Sequence, residues 1–208
     1  MDIFLQLPTT QLGWLLNIVL GGVGAVLLMS FIEVILHGYF MHQRILPRFV
    51  YRMIPLLEKH VHEHRELHHD QYYKQFDSEP DLYGRDLNLV INPLTVLFGA
   101  VVFLPFYLFI ALHTSIVPYI AFVIVMLLHM VAWGMIHTEM HKPRHPWWSK
   151  TSIFKFLARH HYLHHFHTRR HEPRNFNVVL PFWDFVLRTA STGHPEAEPE
   201  LKRLGYLP

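Results

Sequence analysis

The chain has 208 residues, of which 51% are hydrophobic, 19 are histidine and none is cysteine. Without cysteine it can form no disulfide, no thiolate metal site and no cysteine-bound iron–sulfur cluster, so any metal must bind nitrogen and oxygen ligands. The formal net charge is only +2, and no basic stripe interleaved with aromatic residues occurs, which argues against nucleic acid as a partner.

The charged residues divide the chain into polar and apolar stretches. All 18 Lys and Arg residues lie at 44–85 and 142–203. Three stretches without them, at 12–36, 89–112 and 116–136, are each long enough to cross a membrane as a helix. The second and third are expected to form a tight helical hairpin. Because Lys and Arg favour the cytoplasmic side, we expect both polar segments to face the cytoplasm.

Histidines cluster at four points, each at the end of an apolar stretch or in the polar segment after it. The clusters are His37 and His42, residues 60–69, His137 and His141, and residues 160–165 followed by His167. Residues three or four apart share one face of a helix. We therefore expect the third cluster to converge on a metal, and His161, His164 and His165 to do the same.

A solvated or metal-sequestering face is the alternative interpretation of these clusters. It does not account for the doublets His68-His69 and His164-His165, each of which follows another histidine at helical distance. Four such clusters on one expected membrane face favour a metal site. Imidazole ligands suit iron, zinc, copper and nickel.

The clusters form an ordered set of motifs: HxxxxH from His37, HxxxHH from His64, HxxxH from His137 and HxxHH from His161. This set resembles the histidine boxes of the fatty acid hydroxylase and sterol desaturase superfamily. A second similarity lies in 175–189, where an Asn-rich turn is followed by Pro, Trp-Asp and a Thr, as in the closing pattern of that family. The resemblance covers about residues 33–189.

The resemblance implies an all-α integral membrane protein with three to four transmembrane helices and a cytosolic helical cap that holds a histidine-rich di-metal site. It implies an oxidoreductase that hydroxylates or desaturates a lipid C–H bond with dioxygen as co-substrate. Two iron ions are the implied cofactors, with zinc able to occupy the site in purified protein. The implied ligands are His37, His42, His64, His68, His69, His137, His141, His161, His164 and His165.

The remaining organisation is expected to be simple. We assign residues 1–190 to one membrane-embedded domain and 191–208 to a C-terminal tail, whose beginning at 195–199 looks loose. No segment is long enough for a fused cytochrome b5 domain, so a separate electron donor is expected, either ferredoxin or cytochrome b5 with its reductase. The compact chain favours a bacterial inner membrane over the endoplasmic reticulum.

Two acidic residues are candidates for orienting the ligands. Glu33 lies one helical turn before His37 in an apolar stretch, where we expect it to accept a hydrogen bond from a ligand imidazole. The alternative is that Glu33 already reaches the membrane interface. The resemblance implies a similar supporting role for Asp184. His129 is expected to be a core residue, and five histidines outside the motifs are expected at the surface: His62, His145, His167, His171 and His194.

Two functions from other classes are kept as alternatives. A zinc-dependent membrane hydrolase would use the same imidazoles, but its typical HExxH helix is absent from the sequence. A metal transporter or buffer should carry ligands near the middle of the bilayer, where only His129 is expected.

The spacing of the second motif predicts an irregular backbone. In a regular helix, residues five apart differ by about 140°, so His64 and His69 would diverge. We expect a one-residue π-bulge between them, which would bring His69 onto the ligand face. Otherwise the helix stays regular and His69 binds the second metal. A third interpretation takes His60, His64 and His68 as the ligand row and leaves His69 unliganded.

Overall fold

The computed structural model describes residues 8–71, 76–77, 108–109 and 116–208. Every regular element within these residues is helical, which confirms the expected all-α class for this part of the chain. Two segments, Leu36–Met41 and Glu63–Gln71, are π-helical, and each directly follows an α-helix. The α-helices are α1 Gln11–Ile35, α2 Arg48–Met53, α3 Pro55–His62, α4 Ile116–His141, α5 Pro146–Ser149, α6 Ser152–Arg169, α7 Phe182–Val186 and α8 Glu198–Arg203.

Two of the described helices are long and apolar enough to cross a membrane. The first is Gln11–Met41, which joins α1 to the π-helical segment after it, and the second is α4. They correspond to the spans predicted at 12–36 and 116–136. The span predicted at 89–112 and the turn after it lie outside the described residues, apart from 108–109.

The chain divides into two compact units, of which the first comprises 1–29 and 91–132. In this unit a Cβ atom added to Gly21 would lie 2.4 Å from the carbonyl oxygen of Pro118, so only glycine permits this approach of α1 to α4. Small residues allow such close contacts between membrane helices. The outer faces are apolar and exposed, for example at Leu20 and Leu128. Such surfaces are typical of contact with lipid or with another protein.

The second unit comprises 30–90 and 133–208. Its longest helix, α6, begins after Thr151, whose hydroxyl accepts a hydrogen bond from the amide of Phe154 and so caps the helix. Leu157, Ala158 and Leu163 of α6 contribute to a buried core. The other members of that core are Phe76, Met140, Phe154, Tyr162, Phe166, Val178, Ala197 and Leu201.

The C-terminal residues differ from the loose tail that the sequence suggested. Ala197 and Leu201 are fully buried in the core of the second unit, and α8 forms around them. The proline-rich composition at 195–199 was a poor guide here, because Pro199 occupies a first-turn position of α8, where proline fits a helix. Residues from 197 to 207 therefore supply side chains to the packed core of this unit.

The predicted irregularity between His64 and His69 is confirmed, although it is longer than a one-residue bulge. The π-helical segment runs through nine residues, Glu63–Gln71. The other segment, Leu36–Met41, covers nearly the whole interval from His37 to His42. A π-helix bonds residue i to residue i+5 and therefore brings residues five apart onto one face.

Candidate metal centre

The ten histidines singled out from the motifs come together in the second unit as two groups of five. Within each group, one ring nitrogen per residue lies within 4.8 Å of the corresponding atoms of the other four. Both groups could hold a metal ion. Group A is His37, His42, His64, His69 and His164, and group B is His68, His137, His141, His161 and His165.

Ring nitrogens in each group approach one another at the spacing of ligands around an ion. In group A, Nε2 of His42 lies 3.1 Å from Nε2 of His164. In group B, Nε2 of His161 lies 3.1 Å from that of His141 and 3.2 Å from that of His165. Two imidazoles bound at about 2.1 Å to one ion lie about 3.0 Å apart at a right angle and about 3.4 Å apart at the tetrahedral angle. These three pairs of ring nitrogens thus have the separation expected of two ligands of one ion.

The two groups take their sequence-local pairs of ligands from different kinds of helix. Both pairs spaced five residues apart, His37 with His42 and His64 with His69, lie on π-helical backbone and belong to group A. In group B two pairs spaced four apart lie on regular α-helices: His137 with His141, and His161 with His165. Each backbone therefore brings its own spacing onto one face.

The histidine doublets are divided between the groups, contrary to one expectation. His164 was expected to share a metal with His161 and His165, but it lies in group A. In α6, residues 164 and 165 differ by about 100° around the axis, so adjacent imidazoles can serve different groups on either side. The doublet of the second motif is divided in the same way, with His68 in group B and His69 in group A.

All ten imidazoles are buried, with exposed fractions between 0% and 5%. Burial and, after it, the neighbouring imidazoles hold the pKa of His69, His161 and His165 well below the ordinary histidine value. The pKa of His164 is lowered for the same reasons. These rings are consequently neutral at neutral pH, which leaves a nitrogen lone pair for a metal.

Three ligands are oriented by main-chain carbonyl groups. Nδ1 of His37 donates to the carbonyl oxygen of Phe176 at 2.6 Å, and Nδ1 of His164 donates to that of Arg174 at 2.6 Å. In group B, Nδ1 of His141 donates to the carbonyl oxygen of Phe76 at 3.0 Å. A proton held on Nδ1 leaves Nε2 as the free lone pair, which is the arrangement that orients metal-bound histidines in proteins.

Glu33 supports the ligand His37 indirectly, and not through the expected hydrogen bond to its imidazole. Both ring nitrogens of His37 are accounted for without it, since Nδ1 bonds Phe176 and Nε2 faces group A. The Glu33 carboxylate instead accepts hydrogen bonds from the amide of Val178 at 2.5 Å and from Nδ2 of Asn177 at 3.2 Å. It thereby holds the segment that presents the Phe176 carbonyl group to His37.

Asp184 holds the same segment from the other side. Its carboxylate is fully buried and accepts hydrogen bonds from the amides of Phe176 and Asn177 at 3.0 and 2.7 Å. It also accepts from the Thr189 hydroxyl at 2.6 Å and faces Nε2 of His160 at 2.9 Å. The Asn, Trp-Asp and Thr pattern noted in the sequence thus corresponds to one hydrogen-bonded network behind group A.

An analogous support exists behind group B. Phe76, whose carbonyl group orients His141, is fully buried and precedes Asp77. The Asp77 carboxylate pairs with both terminal nitrogens of Arg203 in α8, at 2.8 and 3.4 Å. The packed C-terminal helix therefore restrains the residue beside the acceptor of a group B ligand.

The residues present fit two bound cations. Within the described part of the chain, Nε2 of His37 and both ring nitrogens of His137 are buried without a hydrogen-bond partner. Such atoms cost about 1–3 kcal/mol each unless something else bonds them. A cation in each group would satisfy them, and the ligand set of neutral imidazoles suits a transition metal or zinc.

Sequence reasoning missed two buried supporting residues. His160 precedes a ligand and pairs with Asp184, but nothing in its motif distinguished it from its neighbours. Glu139 is 4% exposed, and its carboxylate accepts hydrogen bonds from the amides of Arg144 and His145, which turns the chain after α4. An ionisable residue just after an apolar stretch and two positions before His141 was the available signal.

The histidines outside the two groups follow the expectations with one exception. His62, His145 and His171 are exposed, and His194 is partly exposed. His167 was expected at the surface but is only 6% exposed, because it lies on the inner face of α6, where it bonds the Ser191 hydroxyl at 2.9 Å. His129 is buried, as expected of a core residue.

The ligand geometry stands without support from a known relative. No protein-family model matches the chain, and neither the curated proteins nor the solved structures contain a match. The two histidine groups and the residues that hold them are therefore the features that point to a function.

Proposed function

We propose that the chain is a membrane-bound di-iron oxygenase that hydroxylates or desaturates a lipid C–H bond. The observation that carries this proposal is the pairing of two buried, five-histidine groups with two helices long and apolar enough to cross a membrane. Iron bound in both groups would supply dioxygen activation and C–H oxidation, which no amino acid side chain can perform.

The part played by the chain itself is to bind, orient and shield. Neutral imidazoles hold the cations, and the carbonyl groups of Phe176, Arg174 and Phe76 fix the rings of their ligands. The buried surroundings keep bulk water from the groups, which favours the oxidation of an apolar substrate over side reactions. A lipid substrate is consistent with groups that follow directly on apolar helices.

A zinc-dependent hydrolase is less well supported. Catalytic zinc usually has three protein ligands and a nearby carboxylate as general base. Both groups have five members, and among the described residues these are histidine alone. The buried carboxylates of Glu33, Glu139 and Asp184 already accept hydrogen bonds from main-chain amides. None of these carboxylates is therefore placed to act as the general base.

A transporter or metal buffer is also less well supported. His37 and His42 lie at the end of the first candidate span, and His137 and His141 lie in the last turns of α4. Ligands at the ends of spans do not form a site at the middle of the bilayer, as transport requires. We further propose that both groups face the cytoplasm of a bacterial cell, where a ferredoxin or cytochrome b5 system supplies electrons.

The test combines metal analysis with turnover. Protein produced in iron-replete cells should contain two iron ions per chain and, with a reductant, consume dioxygen while an added lipid extract gains hydroxyl groups or double bonds. A variant carrying both His164→Ala and His165→Ala is the control. It should contain no iron, consume no dioxygen and leave the lipid extract unchanged. Dioxygen-independent ester hydrolysis would support the zinc enzyme, and bound metal without any turnover would support the buffer.

A further inference from the structure

A groove outside the histidine groups is lined by six residues, of which three are arginines. It has a volume of about 600 Å³ and lies against α2, α3 and the chain between the first π-helical segment and α2. An adjoining space of about 550 Å³ shares most of these residues and adds Lys59 and His62. The side chains lining the first space are Arg44, Leu46, Arg48, Tyr51, Arg52 and Glu58.

The charges in the groove are only partly compensated. Glu58 is the one carboxylate among the lining residues, and it pairs with Arg44, whose Nη2 lies 2.6 Å from Oε1. Within the described residues, Arg48 and Arg52 have neither an ion pair nor a side-chain hydrogen bond. They are four residues apart in α2 and so lie on one face of it, towards the groove. Two uncompensated guanidinium groups suit a phosphate, which they can bind through paired N–H donors.

Another face of α2 is apolar and exposed. Phe49 is 61% exposed and Met53 is 76% exposed, and these two residues again lie four apart. Ile45 and Ile54, on either side of α2, are 45% and 44% exposed. The helix begins only seven residues after Met41, the last residue of the first candidate span. Cationic side chains beside exposed apolar ones, close to the end of a span, are typical of a membrane interface.

We infer that this groove binds the phosphate of an anionic phospholipid, with Arg48 and Arg52 contacting the headgroup and Phe49 and Met53 contacting its acyl chains. The apolar pair is what favours a lipid over a free phosphate ester, because a soluble ligand would leave these side chains in water. The inference concerns residues apart from both histidine groups and does not depend on the proposed oxidation.

The test measures headgroup binding to the full-length, metal-loaded protein in a neutral detergent. Short-chain phosphatidylglycerol, short-chain phosphatidylcholine and inorganic phosphate are titrated separately by calorimetry. The variant carries Arg48→Gln and Arg52→Gln, and the control removes two exposed cations elsewhere through Lys150→Gln and Lys202→Gln. Since one cation near an anionic surface contributes a factor of about five, the double arginine variant should bind phosphatidylglycerol about 25-fold more weakly.

The unmodified protein and the lysine control should both bind phosphatidylglycerol more tightly than the other two ligands. Equal binding of phosphatidylcholine, or equal losses in the arginine and lysine variants, would overturn the inference. Inorganic phosphate binding as tightly as the anionic lipid would show a soluble phosphate site instead and would also overturn it. The iron content of the arginine variant should stay at the level of the unmodified protein, which separates this result from any failure of the proposed oxygenase.

Discussion

The two histidine groups use the same ligand type on different helical backbones. Group A takes its two sequence-local pairs from π-helical segments, whereas group B takes its two pairs from the regular helices α4 and α6. π-Helical backbone is rare and tends to occur at functional sites, while an α-helix presents residues four apart without distortion. Group A should therefore depend more strongly on surrounding contacts than group B does.

The contacts that support the two groups also differ, because those behind group A are buried and the ion pair behind group B is exposed. Group A relies on the segment at 174–178, which is held by the buried carboxylates of Glu33 and Asp184. Group B relies on Phe76, which is restrained through an exposed ion pair between Asp77 and Arg203. Buried hydrogen-bonded charges are expensive to disrupt, but exposed ion pairs contribute little. This comparison leads to predictions of decreasing size.

The largest effects should come from removing ligands in pairs. The variant with His42→Ala and His164→Ala removes two ligands of group A and should lose about one of two metal ions, measured by mass spectrometry of the metals. The variant with His164→Ala and His165→Ala removes one ligand from each group and should lose both. Activity should fall at least about 100-fold in each, since even residues behind the ligands contribute about 10–100-fold. Equal metal loss in the two variants would contradict the assignment of groups.

Replacing Asp184 should destabilise the fold and weaken group A. The change Asp184→Asn puts an amide N–H against groups that themselves donate, and each buried donor left without an acceptor costs about 1–3 kcal/mol. Thermal unfolding should occur at a markedly lower temperature, and the loss of metal should be confined to one ion. Asp77→Asn, at a partly exposed carboxylate, is the matched control and should affect unfolding far less. A comparable fall in both variants would refute the buried network as the main support.

The same carboxylate predicts a dependence on pH. Burial raises the pKa of Asp184, but hydrogen bonds from His160, Thr189 and the Asn177 amide outweigh this, and the net pKa is lowered. The stabilisation by the carboxylate is therefore complete above the unfolded-state pKa of about 3.9 and is lost as the pH falls through the lower native value. The unfolding temperature of Asp184→Asn should approach that of the unmodified protein below about pH 4. A constant difference between the two across this range would argue against it.

Much of the centre could be predicted because its ligands are local in sequence. The doublets and the motif spacings singled out the ten histidines that the structure brings together. The angular mismatch between residues 64 and 69 predicted the irregular backbone there, and His37 and His42, which have the same five-residue spacing, coincide with the other π-helical segment. The division of His164 from His161 could not be predicted, because it depends on which distant helices pack on each side of α6.

The groups that orient the ligands were harder to predict from the sequence, for a physical reason. The acceptors for His37, His141 and His164 are main-chain carbonyl groups, which every residue possesses and no side chain identifies. Glu33 was recognised as unusual because a carboxylate is costly in an apolar stretch, but its contacts with 177–178 join residues far apart in the sequence. Composition also misled at 195–199, where a proline-rich start precedes a packed helix.

A moderate effect is expected from a single methyl group beside group A. A Cβ atom at Gly38 would lie 3.1 Å from the ring of Phe176, so Gly38→Ala should displace the residue whose carbonyl group orients His37. Metal affinity of group A should fall about tenfold, the lower end of the range for residues that orient ligands. Gly24→Ala, on the same helix with open space around the added atom, should leave metal binding unchanged. Identical affinities for the two variants would contradict the positioning role of Phe176.

The smallest effect should come from the C-terminal helix. Arg203→Ala removes the pairs with Asp77 and Glu200, and because all three side chains are partly exposed the free energy of unfolding should fall by no more than about 1 kcal/mol. A slight loss of metal should be confined to group B, and Arg203→Lys should restore part of it. Lys202→Ala breaks only a surface pair with Glu198 and is the control. Loss from group A in Arg203→Ala would show that the supports are not separate.

The central claim is that each group of five histidines holds its own metal ion, and anomalous X-ray scattering from crystals of the iron-loaded protein tests it most directly. Maps collected at the iron absorption edge should contain two peaks per chain. Each peak should lie about 2.0–2.2 Å from ring nitrogens of one group, with His68 and His165 on one ion and His69 and His164 on the other. A single peak would contradict the account. So would two adjacent histidines, such as His164 and His165, bound to the same ion.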